Sequence, residues 1–203
     1  MWKSAVVVLA GAVLSACAMD SPTQPGPLVL PVFENGAGQS PNANGGNFGT
    51  PLSAAEEVMP GGVVNNSNAR GNAIFHLNAE GTELSYKLIV ANISNVFQAH
   101  IHRAAAGVNG GIVVWLYPST ATTPGPTGGG RIDGVIAEGV ITSANLVGSL
   151  AGQPLSALLD LLSTAGVYVN VHTNDGVAPT NTGPGDFPGG ELRGQVEHRG
   201  HRN

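Results

Sequence analysis

The stretch Gly166-Val-Tyr-Val-Asn-Val-His-Thr173 decides the fold class, because a valine occupies every second position after its first residue. Successive side chains of a β-strand point to opposite faces of the sheet. The three valines would therefore lie on a core face, and Tyr168, Asn170 and His172 would lie together on the opposite face. This alternation predicts a strand of an antiparallel sheet.

Seven further segments contain short apolar, alternating runs between clusters of Gly, Asn and Pro. They are Leu52–Val58, Ala69–Leu77, Glu83–Ala91, Val96–His102, Gly111–Tyr117, Arg131–Thr142 and Glu191–His198. Many short strands separated by turn signals are typical of a sandwich or a barrel. We therefore predict an all-β fold of antiparallel strands.

One segment, Pro154–Thr164, has the periodicity of a helix. Its apolar residues recur at i, i+3, i+4 and i+7, as Leu155, Leu158, Leu159 and Leu162. This spacing predicts one short amphipathic helix packed on the sheet. Proline is favoured at the first position of a helix, so the helix would begin near Pro154.

The composition excludes several classes of protein. The 203 residues fit one domain with room for a leader. The 30 glycines and 14 prolines show no repeating triplet, which excludes collagen, and 42% hydrophobic residues argue against a wholly disordered chain. The formal net charge is −5 and the only lysines are Lys3 and Lys87, so we predict no nucleic-acid partner.

The N-terminus resembles a bacterial lipoprotein signal. A basic start is followed by an apolar run over Ala5–Leu14, about half the length that a membrane-spanning helix needs. The run ends in Leu14-Ser-Ala-Cys17, which resembles the lipobox that precedes an acylated cysteine. The resemblance implies export and a membrane anchor on lipidated Cys17. Ala18 stands where an inner-membrane retention signal has Asp, which implies the outer membrane; an ordinary secretory signal is the alternative.

These features divide the chain into four parts. We predict a signal peptide over residues 1–16, a flexible tether over residues 17–50, a β-domain over residues 51–198 and a polar tail over residues 199–203. The predicted tether is mostly Pro, Gly, Asn, Ser and Gln, a composition that is typical of linkers.

Five strings, in the same order along the chain, resemble the CHRD domain. They are Leu52-Ser-Ala-Ala-Glu-Glu57, Ala99-His-Ile-His102, Asn109-Gly-Gly-Ile-Val-Val114, Asn170-Val-His-Thr173 and Gly189-Gly-Glu-Leu-Arg-Gly-Gln195. The resemblance extends over about residues 51–197. It implies an extracellular module with a Greek-key or immunoglobulin-like sandwich fold and no established catalytic activity. It also implies structural roles for Asn170, Thr173 and Arg193.

The histidines of these strings could form a metal site. His100 and His102 are two residues apart on a predicted strand, so their side chains would leave the same face, about 7 Å apart at Cα. His172 lies on the polar face of another strand, and Glu191 alternates with apolar Leu192. If the strands are neighbours, three imidazoles and a carboxylate would converge. Such a ligand set suits one Zn or Cu ion.

Two other interpretations of these residues remain open. The histidines, Glu191 and Arg193 could instead form a hydrogen-bonded polar ladder that fixes the strand register. The His-x-His strand is also similar to that of copper/zinc superoxide dismutase. The following segment, Arg103–Gly130, contains no His, Asp or Glu, and the chain has one cysteine, so neither a dinuclear site nor that enzyme's disulfide is expected.

The sequence therefore leads to two hypotheses on function. The first is a lipid-anchored cell-envelope protein that acts as a non-enzymatic binding or structural module, with an unknown protein or glycan partner. This hypothesis rests on the lack of a complete catalytic constellation in the sequence. The alternative is a mononuclear Zn- or Cu-binding metalloprotein, with a redox role as a special case.

Overall fold

The computed structural model describes residues 46–119 and 123–198. Within these ranges the chain has one α-helix, α1 (Leu155–Ser163), and nine strands: β1 (Asn47–Ser53), β2 (Arg70–Leu77), β3 (Leu84–Ser94), β4 (Val96–Arg103), β5 (Gly111–Tyr117), β6 (Arg131–Ile141), β7 (Val167–Thr173), β8 (Leu192–Gln195) and β9 (Glu197–His198). The predicted signal peptide with Cys17, most of the predicted tether and the polar tail lie outside the described residues. No helix in these ranges is long and apolar enough to cross a membrane.

The nine strands form one antiparallel sheet. Its order is β5-β4-β7-β8-β1-β2-β3-β6, and the short strand β9 pairs with β1. The two end strands, β5 and β6, approach each other. Near this approach the Tyr86 hydroxyl on β3 donates a hydrogen bond of 2.9 Å to the Leu116 carbonyl on β5. The sheet is therefore nearly closed on itself.

The all-β, antiparallel class with one short helix is confirmed. The expected Greek-key or immunoglobulin-like sandwich is not confirmed, because a sandwich consists of two separate sheets. Here β1 joins the two halves of one sheet. It pairs with β2 along its whole length but with β8 only at Ser53 and Arg193.

The apolar core lies on the concave side of this curved sheet and includes one face of α1. Leu155, Leu158 and Leu162 of the helix are at most 5% exposed. Burial of a leucine side chain stabilises a fold by about 1.5–3 kcal/mol. The helix agrees with the predicted one to within a residue at each end, and Pro154 occupies the position just before its first residue.

The first strand differs from the prediction. Instead of Leu52–Val58, the strand is β1, and Ala54–Glu56 form a turn of 3₁₀ helix. The strand therefore begins within the segment predicted to be tether. Phe48 and Leu52 explain the difference, because both side chains are buried in the core while β1 is hydrogen-bonded to β2. The predicted strand Glu191–His198 is likewise divided, into β8 and β9.

The pairing of β4 with β7 creates a second buried layer on the other side of the sheet. Ala99 and Ile101 of β4 pair with Val171 and Val169 and belong to the core. The residues between them therefore point away from the core, yet every residue of β7 is buried. This polar layer, on the convex face of β4, β7 and β8, contains the candidate site.

Candidate metal centre

Strand pairing brings His100, His102 and His172 together in the polar layer. One ring nitrogen of each histidine lies within 4.8 Å of those of the other two. The ring centroids are 5.0 to 5.8 Å apart. The three side chains are 0%, 8% and 5% exposed, respectively. The convergence that the His-x-His spacing and the β7 alternation predicted is therefore present, and the three side chains are buried.

Two backbone carbonyls fix the protonation of the outer histidines. His102 Nδ1 lies 2.9 Å from the carbonyl oxygen of Gly110, and His172 Nδ1 lies 2.9 Å from that of Pro188. A carbonyl oxygen only accepts hydrogen bonds, so each Nδ1 carries the proton and donates it. In the neutral ring, Nε2 then holds the free lone pair. Histidines that bind metals are oriented by hydrogen bonds of this kind.

The position of the proton on the inner histidine, His100, follows from that on its neighbour His172. His100 Nδ1 lies 3.2 Å from His172 Nε2, which holds a lone pair, so His100 Nδ1 is the donor. The remaining nitrogens, Nε2 of His100 and Nε2 of His102, are buried with no hydrogen-bond partner among the described residues. A buried polar atom without a partner costs about 1–3 kcal/mol. The cluster therefore has acceptor capacity that the surrounding protein does not use.

Burial holds all three rings in the neutral form. It lowers the pKa of His100 to about 2, with smaller contributions from the neighbouring His172 and His102. Burial, followed by repulsion from His102, lowers the pKa of His172 to about 3. Burial also lowers the pKa of His102, against the opposing effect of its hydrogen bond to Gly110. At neutral pH the Nε2 lone pairs of His100 and His102 are therefore free to bind a metal ion, whereas the Nε2 lone pair of His172 must first release the hydrogen bond from His100.

Aromatic rings surround the cluster. The Trp115 ring on β5 meets the His100 ring edge-on, with centroids 4.2 Å apart. The Tyr168 ring on β7 stacks on the His102 ring at 4.9 Å. The guanidinium of Arg193 on β8 lies 3.5 Å from the centroid of the Tyr168 ring. A row of three groups, His102, Tyr168 and Arg193, thus runs from the cluster across the sheet.

Comparison with known families identifies the domain to which this layer belongs. The model of the CHRD domain family matches residues 48–196. The chain belongs to the CHRD domain family. The match begins in β1 and ends just before β9, so it contains the three histidines and every strand of the main sheet order. Among proteins with curated descriptions, none matches the chain significantly.

The CHRD motif residues outside the cluster hold loops against the polar layer. Arg193 donates hydrogen bonds to the Asn109 side chain at 2.9 Å and to the Val108 carbonyl at 2.8 Å. Asn170 donates to the Leu192 carbonyl at 2.9 Å and to the Glu57 carboxylate. The Arg193 contacts fix the loop between β4 and β5, which also supplies the Gly110 carbonyl that orients His102.

The structure does not bring Glu191 into the cluster. Its carboxylate accepts hydrogen bonds from the Ser67 hydroxyl, from Thr173 Oγ1 at 2.6 Å and from the Gly185 N–H at 2.8 Å. Thr173 Oγ1 in turn accepts from the Phe187 N–H, so this network orders the loop between β7 and β8. The expectation that Glu191 supplies a fourth ligand is therefore not supported by its position.

Sequence reasoning missed three contributors to the site. Trp115 was assigned to a strand without a role, because the shifts in register between β4 and β5 that place it opposite His100 leave no sequence signal. The carbonyls of Gly110 and Pro188 were missed because backbone acceptors depend on loop conformation. The motif Asn109-Gly-Gly-Ile was the available hint for Gly110, since it marks a tight turn before β5.

Proposed function

We propose that this CHRD domain binds one Zn or Cu ion through His100, His102 and His172. The observation that carries the proposal is the pair of buried Nε2 atoms of His100 and His102, which lie beside His172 and have no hydrogen-bond partner in the part of the chain that the structure describes. Imidazole nitrogens about 2.0–2.1 Å from a tetrahedral Zn²⁺ ion are about 3.3 Å apart. The present spread of up to 4.8 Å would therefore contract by about 1.5 Å when the ion binds.

A second candidate function is the non-enzymatic binding or structural module. The contact of 3.2 Å between His100 Nδ1 and His172 Nε2 favours it, since a hydrogen-bonded ladder would contain such a pair. The ladder hypothesis leaves the two unpartnered Nε2 atoms unexplained, and for that reason the metal site is preferred. A partner of the module would be a protein or a glycan.

We also propose that the protein is exported and lipid-anchored to the cell envelope, on the outer membrane. The support is the sequence Leu14-Ser-Ala-Cys17 behind a short apolar run. Without Lys3 the remaining chain would carry more negative than positive charge, so the acyl groups of Cys17 would provide the anchor.

Elemental analysis of the untagged, purified and dialysed protein tests the metal proposal. We expect about one equivalent of Zn or Cu, and less than about a tenth of an equivalent in the variants His100→Ala and His172→Ala, because two ligands cannot retain the ion. The matched control is His76→Ala, which removes an exposed histidine on β2. Circular dichroism verifies that each variant is folded.

Either of two results would refute the metal site. The first is a folded wild-type protein that takes up no metal after incubation with excess Zn²⁺, Cu²⁺ or reduced copper. The second is the same metal content in wild type and in both cluster variants, which would place the ion elsewhere.

A further inference from the structure

We propose that the cluster selects the cuprous ion, Cu⁺, over the dications Zn²⁺ and Cu²⁺. This inference rests on the proposed function, since it concerns which ion the three histidines bind. Three features of the site carry it: the charge of the ligands, the number of ligands, and the nearest buried cation.

The ligand set is neutral. The group of converging side chains in the described ranges consists of His100, His102 and His172, without a carboxylate or a thiolate. The carboxylates of Glu191 and Glu57 are engaged elsewhere: Glu191 accepts hydrogen bonds from two hydroxyl groups and one backbone N–H, and Glu57 accepts from Asn170. A bound ion would therefore keep its full charge. The cost of placing an ion in a dry interior grows with the square of its charge, so a dication is penalised about four times as strongly as a monocation.

The number of ligands also favours Cu⁺. Zn²⁺ takes four ligands in proteins, and with three protein ligands its fourth position holds water or substrate. Here His100 is 0% exposed and the half-buried Trp115 ring lies against it. Access of a water molecule to a fourth position is therefore restricted. Cu⁺ carries a lower charge and accepts three nitrogen ligands without a fourth.

Arg193 adds a positive charge at the end of the row that it forms with Tyr168 and His102. Its guanidinium lies 3.5 Å from the Tyr168 ring centroid, which is 4.9 Å from that of His102. This buried charge is separated from His102 by a single aromatic ring. It opposes a dication more strongly than a monocation.

A carboxylate introduced beside the cluster tests the electrostatic argument. Gln98 of β4 is the register partner of His172, and the substitution Gln98→Glu changes its charge with almost no change in shape. The matched control is Gln153→Glu, which adds the same charge at an exposed position before α1. Dissociation constants are measured for Cu⁺ under anaerobic reducing conditions and for Zn²⁺ and Cu²⁺, each by competition with a chelator of known affinity.

In the wild-type protein we expect Cu⁺ to bind at least about 100-fold more tightly than Zn²⁺. Gln98→Glu should reduce the preference for Cu⁺ over Cu²⁺ by about tenfold or more, since one added charge at close range interacts more strongly with a dication. A tenfold change corresponds to a reduction potential about 59 mV lower for the bound copper. Gln153→Glu should leave both quantities unchanged.

The outcomes separate the two proposals. Zn²⁺ binding as tight as Cu⁺ binding would overturn the selectivity and leave the metal site intact. A stoichiometric Cu⁺ complex with equal preference in wild type and Gln98→Glu would overturn the electrostatic argument. No binding of any of the three ions would overturn the proposed function itself. If Gln98→Glu does not fold, the ratio of the wild-type dissociation constants for Cu⁺ and Zn²⁺ decides whether the site is selective.

Discussion

The three histidines differ in what surrounds them although all are buried. His102 and His172 each donate to a backbone carbonyl, whereas His100 donates to His172. The hydrogen bonds therefore form one chain from His100 through His172 to the Pro188 carbonyl. Only one set of protonated ring nitrogens is compatible with this chain when the rings are neutral. Burial penalises an added proton on any ring, and together with repulsion from the neighbouring histidines this is why the pKa values of His100 and His172 fall so far.

These lowered pKa values predict acid sensitivity of the metal-free protein. In the unfolded chain the histidines bind protons below about pH 6.5, while in the folded chain His100 and His172 stay neutral down to a pH of about 3 or below. The unfolded state therefore binds more protons in this window, and stability falls as the pH is lowered through it. Each group contributes about 1.4 kcal/mol per pH unit, so the pair should lose about 4 kcal/mol between pH 7 and pH 5.

Urea unfolding of the metal-free protein at pH 7, 6 and 5 measures this loss. His100→Leu should reduce the dependence of the free energy of unfolding on pH by about half. His76→Ala, at the exposed site on β2, should leave this dependence unchanged. The same stability at pH 7 and pH 5 in wild type would contradict the assignment of neutral, buried rings.

At the scale of the element, β1 shows where strand prediction from sequence ends. The segment Asn47-Phe-Gly-Thr50 contains a single large apolar residue and has no visible alternation. Its strand conformation depends on tertiary contacts, namely pairing with β2 and burial of Phe48 to 5% exposure. Propensity and periodicity describe only the local sequence, so they do not predict a strand whose conformation depends on neighbouring strands.

Phe48 is therefore expected to be important for stability although it was assigned to a tether. Phe48→Ala should lower the free energy of unfolding by about 3–5 kcal/mol, the range for deletion of a buried phenylalanine side chain. Urea denaturation at pH 7 provides the measurement. Val64→Ala is the control, because Val64 is 77% exposed and its change should stay within about 0.5 kcal/mol. A loss below about 1 kcal/mol for Phe48→Ala would show that β1 is dispensable.

The strands of the site were more predictable than β1. The alternation in β7 and the spacing of His100 and His102 on β4 depend only on the period of two, and both assigned their residues to the correct face. The period of two does not indicate which strands pair or how deeply a side chain is buried. It could not distinguish Glu191, which faces the loop between β7 and β8, from a side chain that faces the histidines.

At the scale of the whole molecule, the proposed lipid anchor depends on the N-terminal motif and not on the CHRD domain. One substitution tests the anchor separately from the metal site. Cys17→Ser should move the protein from the membrane fraction to the soluble fraction of a bacterial host, because serine cannot take the thioether-linked lipid. Incorporation of labelled palmitate should disappear in the same variant. Ala18→Ser, which keeps the cysteine, should behave as wild type. A Cys17→Ser protein that remains in the membrane fraction would refute the lipid anchor.

The two faces of the β4–β7 pair have a consequence for protein engineering. Over residues 98–102 of β4 and 167–172 of β7, odd-numbered positions, such as Ile101 and Val169, belong to the apolar core, and even-numbered positions, such as His100 and Tyr168, belong to the polar layer. A library that randomises only Gln98, His100, His102 and His172 would therefore explore new ligand sets while the packing of the core stays constant. The CHRD sheet thus offers a scaffold in which binding chemistry can be redesigned separately from folding.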